Sequence, residues 1–141
     1  MIKVHVAIDN EDENTPAGES FWADDKGQKE NQAEVCNIPV FVPDISLGDI
    51  IEYKEDGDGI LEVVRVVKKV TNKFFVRYDV GKCDEDAVKN YREMVTYLNE
   101  HKIRVEGFMK GFMACAHDKK MSKRKLNSVM NGCPHTLPMD E

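Results

Sequence analysis

No stretch of this sequence approaches the roughly 20 consecutive apolar residues that a membrane-crossing helix requires, and no internal repeat divides it into modules. The start, Met1-Ile-Lys-Val-His-Val6, lacks the apolar core of a signal peptide, so export by that route is not expected and a cytoplasmic location is. Cysteine is sparse: four residues, at 36, 83, 115 and 133, none in Cys-x-x-Cys spacing. That is too few and too scattered for a disulfide scaffold, and reduced thiols are expected. Also missing are a Gly-x-Ser-x-Gly elbow, a Gly-rich phosphate loop after any predicted strand, and an evident Ser or Cys companion with an orienting acid for the four histidines. These absences argue against an enzyme and imply no cofactor.

Charge is abundant and unevenly placed. Residues 1–100 carry 12 Lys and Arg against 22 Asp and Glu, a net of −10, whereas residues 101–141 carry 8 against 4, a net of +4. An acidic body repels nucleic acid and membrane surfaces and draws basic partners at rates that fall with salt.

At 141 residues the chain is long enough for one domain with a core of its own. Ile2, Val4, Val6 and Ile8 alternate with polar neighbours, the period of a half-buried strand. Asp9 to Gly18 reads as an acidic loop, and Glu19 to Ala23 as a strand with Phe21 and Trp22 on opposite faces; both rings are expected to be core anchors. Gln32 to Val42 reads as an edge strand interrupted by Pro39, followed by a turn at Asp44 to Gly48 and a strand at Asp49 to Tyr53. Lys54 to Gly59 is a loop. Ile60 to Val70 and Lys73 to Tyr78 are β-rich runs whose short Thr71-Asn72 link predicts a hairpin. Acidic residues at 84–86 open a helix through His101. Extension resumes at Ile103, and Phe108 to Ala116 predicts a last strand. A second helix runs from Asp118 to Met130 with Gly132 as its stop, and the final eight residues are expected to fray.

These elements predict an α+β fold, a mostly antiparallel sheet with two helices on one face and a ferredoxin-like unit in the second half. The expected organisation is a single domain: a small β-rich half (1–59), a hairpin-helix-strand-helix half (60–132) and a flexible tail (133–141).

Phe21-Trp-Ala23, Asn37-Ile-Pro-Val-Phe41 and Ser46-Leu-Gly-Asp-Ile-Ile51, in that order and spacing, resemble a bacterial domain-of-unknown-function family, the one numbered 4265. The resemblance covers roughly residues 19–115. At Lys68 to Asn72 the chain departs from the family's Ser-Gly-His-like turn. The resemblance implies a fold and no established reaction. Small domains of this kind look like immunity proteins encoded beside toxins.

Several residue groups are candidates for chemistry. Pro43-Asp44 followed by Glu52-Tyr-Lys54 matches the pattern of metal-dependent nucleases, in which two carboxylates hold Mg²⁺ and a lysine steadies the scissile phosphate. The same residues also fit a turn and an exposed strand face. Cys115-Ala-His117 and Cys133-Pro-His135 contain zinc's preferred ligands, although one-residue spacing is awkward for a tetrahedral site, and no metal is expected. Lys119, Lys120, Lys123, Arg124 and Lys125 form a basic cluster without the interleaved aromatics of a single-strand binder. Such a cluster suits either a solvated helix face or a regulatory dock for an acidic partner. The leading expectation is a binding protein that neutralises a basic toxin through loop carboxylates, namely Asp24, Asp25, Glu55, Asp56 and Asp58.

Overall fold

The computed structural model describes residues 1–8 and 16–138; of the loop expected at Asp9 to Gly18, residues 9–15 lie outside them. The chain divides into two compact units, Met1–Thr71 and Asn72–Glu141.

The first unit is a closed barrel of five strands: β1 (Ile2–Ala7), β2 (Gly18–Asp24), β3 (Gln32–Val35), β4 (Ile50–Glu55) and β5 (Leu61–Lys68). Successive strands pair antiparallel, and β1 closes the barrel against β5 in parallel. That parallel closure is a matter of parity, because the first and last strands of a five-strand meander run the same way. Alternation puts Val4, Phe21, Ala23, Ala33, Val35 and Ile51 inside, with Val42 and Ile45 from the β3–β4 connection completing the core. Trp22 points outward and is 48% exposed, so only Phe21 of the aromatic pair is a core anchor. The expected strand from Gln32 to Val42 stops at Val35. Beyond it the Asn37 side chain accepts the Trp22 N–H at 2.7 Å, and the chain leaves the ladder before Pro39 would break it.

The second unit runs β6 (Lys73–Tyr78), α1 (Asp84–Glu100), β7 (Arg104–Met109), β8 (Phe112–Ala116), α2 (Lys123–Asn131) and β9 (Thr136–Leu137). Its antiparallel sheet has the order β7-β8-β6-β9. Strand-helix-strand-strand-helix-strand in that order is the ferredoxin-like arrangement. Met94 and Leu98 of α1 and Val129 of α2 share one core cluster with Val76, Tyr78, Met113 and Cys115, which places both helices on the same sheet face.

Three local expectations change. The run from Phe108 to Ala116 is not one strand: Lys110 and Gly111 turn between β7 and β8, with Gly111 at φ +89° and Phe108 extra to the pairing as a β-bulge. Within the expected tail, Thr136 and Leu137 form a short strand paired with Tyr78 and Arg77.

The third change is at Thr71-Asn72, where no hairpin forms. β5 pairs with β4 and β1, while β6 pairs with β8 and β9. Val70 gives its N–H to the Asp49 carboxylate, and buried Asn72 exchanges backbone and side-chain hydrogen bonds with His117. Each flank of the link is therefore already satisfied within its own unit.

Candidate functional site

In a meander barrel alternate connections share an end, so the β2–β3 and β4–β5 loops lie at the same end of the first unit. These loops, with the strand ends leading into them, bring together the five predicted carboxylates, and they divide the work. Asp24 accepts the Lys26 N–H at 3.0 Å, closing the turn after β2. One oxygen of Asp56 accepts the N–H groups of Asp58 at 2.7 Å and Ile60 at 3.0 Å, which shapes the β4–β5 loop. Asp25, Glu55 and Asp58 are exposed to solvent, Asp25 lying 3.8 Å from the N-terminal ammonium. Asp24 and Asp56 hold the loops, and Asp56, itself exposed, presents charge alongside the other three.

The residues of the three short sequence motifs build the barrel wall. Buried Asp49 uses one oxygen for the Ser46 N–H at 2.9 Å and the other for the Val70 N–H at 2.7 Å, with Lys69 Nζ 3.6 Å away. Gly48, at φ +91°, gives the turn the left-handed residue it needs. Glu19 accepts the N–H groups of Val40 and Phe41 at 2.8 and 2.9 Å, holding the segment after β3 against β2. Of the nuclease-like set, Asp44 is exposed in a loop and its backbone carbonyl accepts from Lys69 Nζ. Glu52 is paired with Arg65 at 3.3 Å on the barrel wall, and Lys54 is exposed. Among the described residues no group of three or more His, Cys, Asp or Glu side chains is placed to share a metal ion.

The two Cys-x-His pairs point their thiols and imidazoles to different surroundings. Cys115 and Cys133 are both buried in the core of the second unit, and burial pushes each thiol up, Cys115 to about 12. His117 Nδ1 lies 2.9 Å from the Asp118 carbonyl, and His135 Nε2 lies 2.6 Å from Glu93. The hydrogen bond from His135 holds the Glu93 carboxyl below its ordinary value. His5 also has a companion that the sequence hides: its Nδ1 is 3.0 Å from Ser20 Oγ across the β1–β2 pair, on the outer wall of the barrel.

Of the basic cluster, Lys119 and Lys120 precede α2, while Lys123, Arg124 and Lys125 occupy its first turn behind the Ser122 cap. Cations there oppose the helix dipole.

Sequence reasoning missed a groove in the second unit, between α1 and the tip of the β7–β8 hairpin. Its volume is about 540 Å³, and Ala87, Val88, Tyr91 and Met109 are among its apolar lining residues. Tyr91 reaches in because residue 107 is glycine; a Cβ there would sit 2.8 Å from the Tyr91 hydroxyl. Burial pushes the Tyr91 phenol up. At the rim Asp84 and Lys110 form a 2.6 Å ion pair. The signal in the sequence was the apolar stripe of α1, which is wider than its core needs: Val88 belongs to it yet is 48% exposed.

The model of the family described as "Domain of unknown function (DUF4265)" matches residues 19–133. A solved structure of a hypothetical protein from Neisseria gonorrhoeae is similar at 18% identity, covering 92% of this chain and 83% of that one with a TM-score of 0.60, a likeness of fold. No curated protein matches the chain.

Proposed function

The chain belongs to the DUF4265 family, and from that premise we propose that it is a binding domain that neutralises a basic protein partner, as an immunity protein covers a toxin. The observation that carries this reading is the segregation of charge between the two units. Met1–Thr71 holds 16 acids and 7 bases, a net of −9; Asn72–Glu141 holds 10 acids and 13 bases, a net of +3. The acidic unit concentrates a field that accelerates capture of a cation-rich surface and weakens with salt. Asp25, Glu55 and Asp58, exposed on loops at one end of the barrel, are the carboxylates that meet the partner first. Their role is positional, so the reading needs no proton transfer and no cofactor.

The test has two stages. Tagged protein is used to capture interactors from its native cell extract at low and at moderate salt. A single stoichiometric basic partner, released as salt rises and inactive while bound, is the expected result. The triple variant Asp25→Lys, Glu55→Lys, Asp58→Lys leaves the turn-forming Asp24 and Asp56 in place. It should slow association by about tenfold or more at low salt and flatten the salt dependence. An association rate that ignores the three reversals overturns the assignment of this surface.

A further inference from the structure

The groove beside α1 lies in the basic unit and serves no purpose in the reading above. Its floor is apolar, its volume of about 540 Å³ lies inside the range of about 300–1,000 Å³ typical of small-molecule sites, and its flanks expose Val88 and Met109 at 48% and 56%. An apolar trough of this size on an otherwise charged helix is costly to leave in water, since each such side chain gains on burial.

The rim charges indicate what the occupant carries. Asp84 is answered by Lys110 at 2.6 Å. Outside the groove, farther along the same helix, Glu93 is answered by His135 at 2.6 Å and by Lys89 at 3.9 Å. Arg92 lines the groove, is exposed, and has no ion-pair partner among the described residues. One guanidinium thus remains beside an apolar trough whose other ionic groups are matched. The first turn of α1 cannot serve as an anion site, because Asp84, Glu85 and Asp86 occupy it.

We propose that this groove binds a small amphipathic carboxylate, a medium-length acyl or aryl acid. Its apolar body lies on Ala87, Val88, Tyr91 and Met109, and its carboxylate is received by Arg92. A planar carboxylate matches the guanidinium fork, which a lone ammonium on the rim would not do as well. The inference is independent of the acidic loops, which belong to the other unit.

The probe is decanoate below its micelle concentration, titrated into the full-length, isotope-labelled protein while backbone amide shifts are followed. Saturable shifts confined to Val88, Tyr91, Arg92, Met109 and their neighbours are expected, with little response to decyltrimethylammonium. Arg92→Gln should weaken decanoate binding about tenfold, the loss of one charge-assisted interaction. Val88→Glu, at an exposed position that leaves the core intact, should abolish it. Equal binding of the cationic amphiphile, unaltered affinity in Arg92→Gln, or an absence of saturable shifts at the groove each overturns the proposal. The last outcome with loss of protein capture in Val88→Glu would assign the groove to a protein instead.

Discussion

The Asp49 carboxylate accepts the backbone N–H of Val70 at 2.7 Å and so ties the turn that opens β4 to the last residues of the barrel unit. Its second oxygen is engaged by the Ser46 N–H at 2.9 Å, and the side chain is fully buried. The Ser-Leu-Gly-Asp motif is therefore a lock on the fold. Asp49→Ala leaves two N–H groups without their acceptor and should cost about 2–5 kcal/mol. Denaturant unfolding measures the loss. A stability change under 1 kcal/mol would mean that water or rearranged backbone replaces both bonds.

Gly107 and Tyr91 form a second dependent pair. Gly107→Ala puts a methyl carbon 2.8 Å from the Tyr91 hydroxyl and should destabilise by about 1–3 kcal/mol through overpacking. In Gly107→Ala with Tyr91→Phe the hydroxyl is gone, and the nearest ring carbon lies at 3.1 Å, so part of the loss should return. A double-variant cycle by thermal unfolding reads the coupling, and strict additivity would refute it.

Strand β9 should respond to acid. His135 and Glu93 meet at 2.6 Å, and the Glu93 carboxyl is held below its ordinary value by that bond. A carboxylate lowered on folding stabilises the native state above its unfolded value, and loses that contribution as pH falls through the lowered one. Protection of the Thr136 and Leu137 amides, relative to their intrinsic exchange rates, should accordingly fall below about pH 4.5. Glu93→Gln should show the lowered protection already at neutral pH and lose that pH dependence. Identical profiles for the two proteins would break the link.

The thiols should separate by reactivity. Burial pushes Cys115 to about 12 and raises Cys133, whereas Cys83 is exposed at the start of α1. Iodoacetamide at neutral pH should label Cys83 first and leave Cys115 untouched until the protein unfolds. Mass spectrometry of peptides from partly labelled protein gives the order, and early modification of Cys115 would show that the second unit opens readily.

Much of the fold is legible locally. Period-2 alternation from Ile2 to Val6 and from Glu19 to Ala23, and helical spacing from Val88 to Leu98, report burial through the geometry of one element. The link at Thr71-Asn72 is different. Two β-rich runs with a short link look like a hairpin, but which strand each run pairs with depends on partners far along the chain: β6 on β8, and Val70 on Asp49. Phe108 to Ala116 reads as one strand because Lys110-Gly111 is a weak turn signal, and only pairing within the sheet reveals the bulge and hairpin.

The candidate sites divide in the same way. The sequence by itself determined the composition of charge, the acidic loops with Asp24, Asp25, Glu55, Asp56 and Asp58, and the family motifs, because these depend on residue type and near neighbours. Only the three-dimensional arrangement shows that the Asp24 and Asp56 carboxylates bond their loops' N–H groups while those of Asp25, Glu55 and Asp58 accept no such bond among the described residues. It alone turned Trp22 outward, buried Asp49 as a lock, and assembled the groove of Tyr91, Met109 and Arg92 from a helix and a distant hairpin. The physical reason is that a carboxylate's role is set by the donors the fold brings to it, and a groove exists only between elements. Neither can be read from one segment of chain.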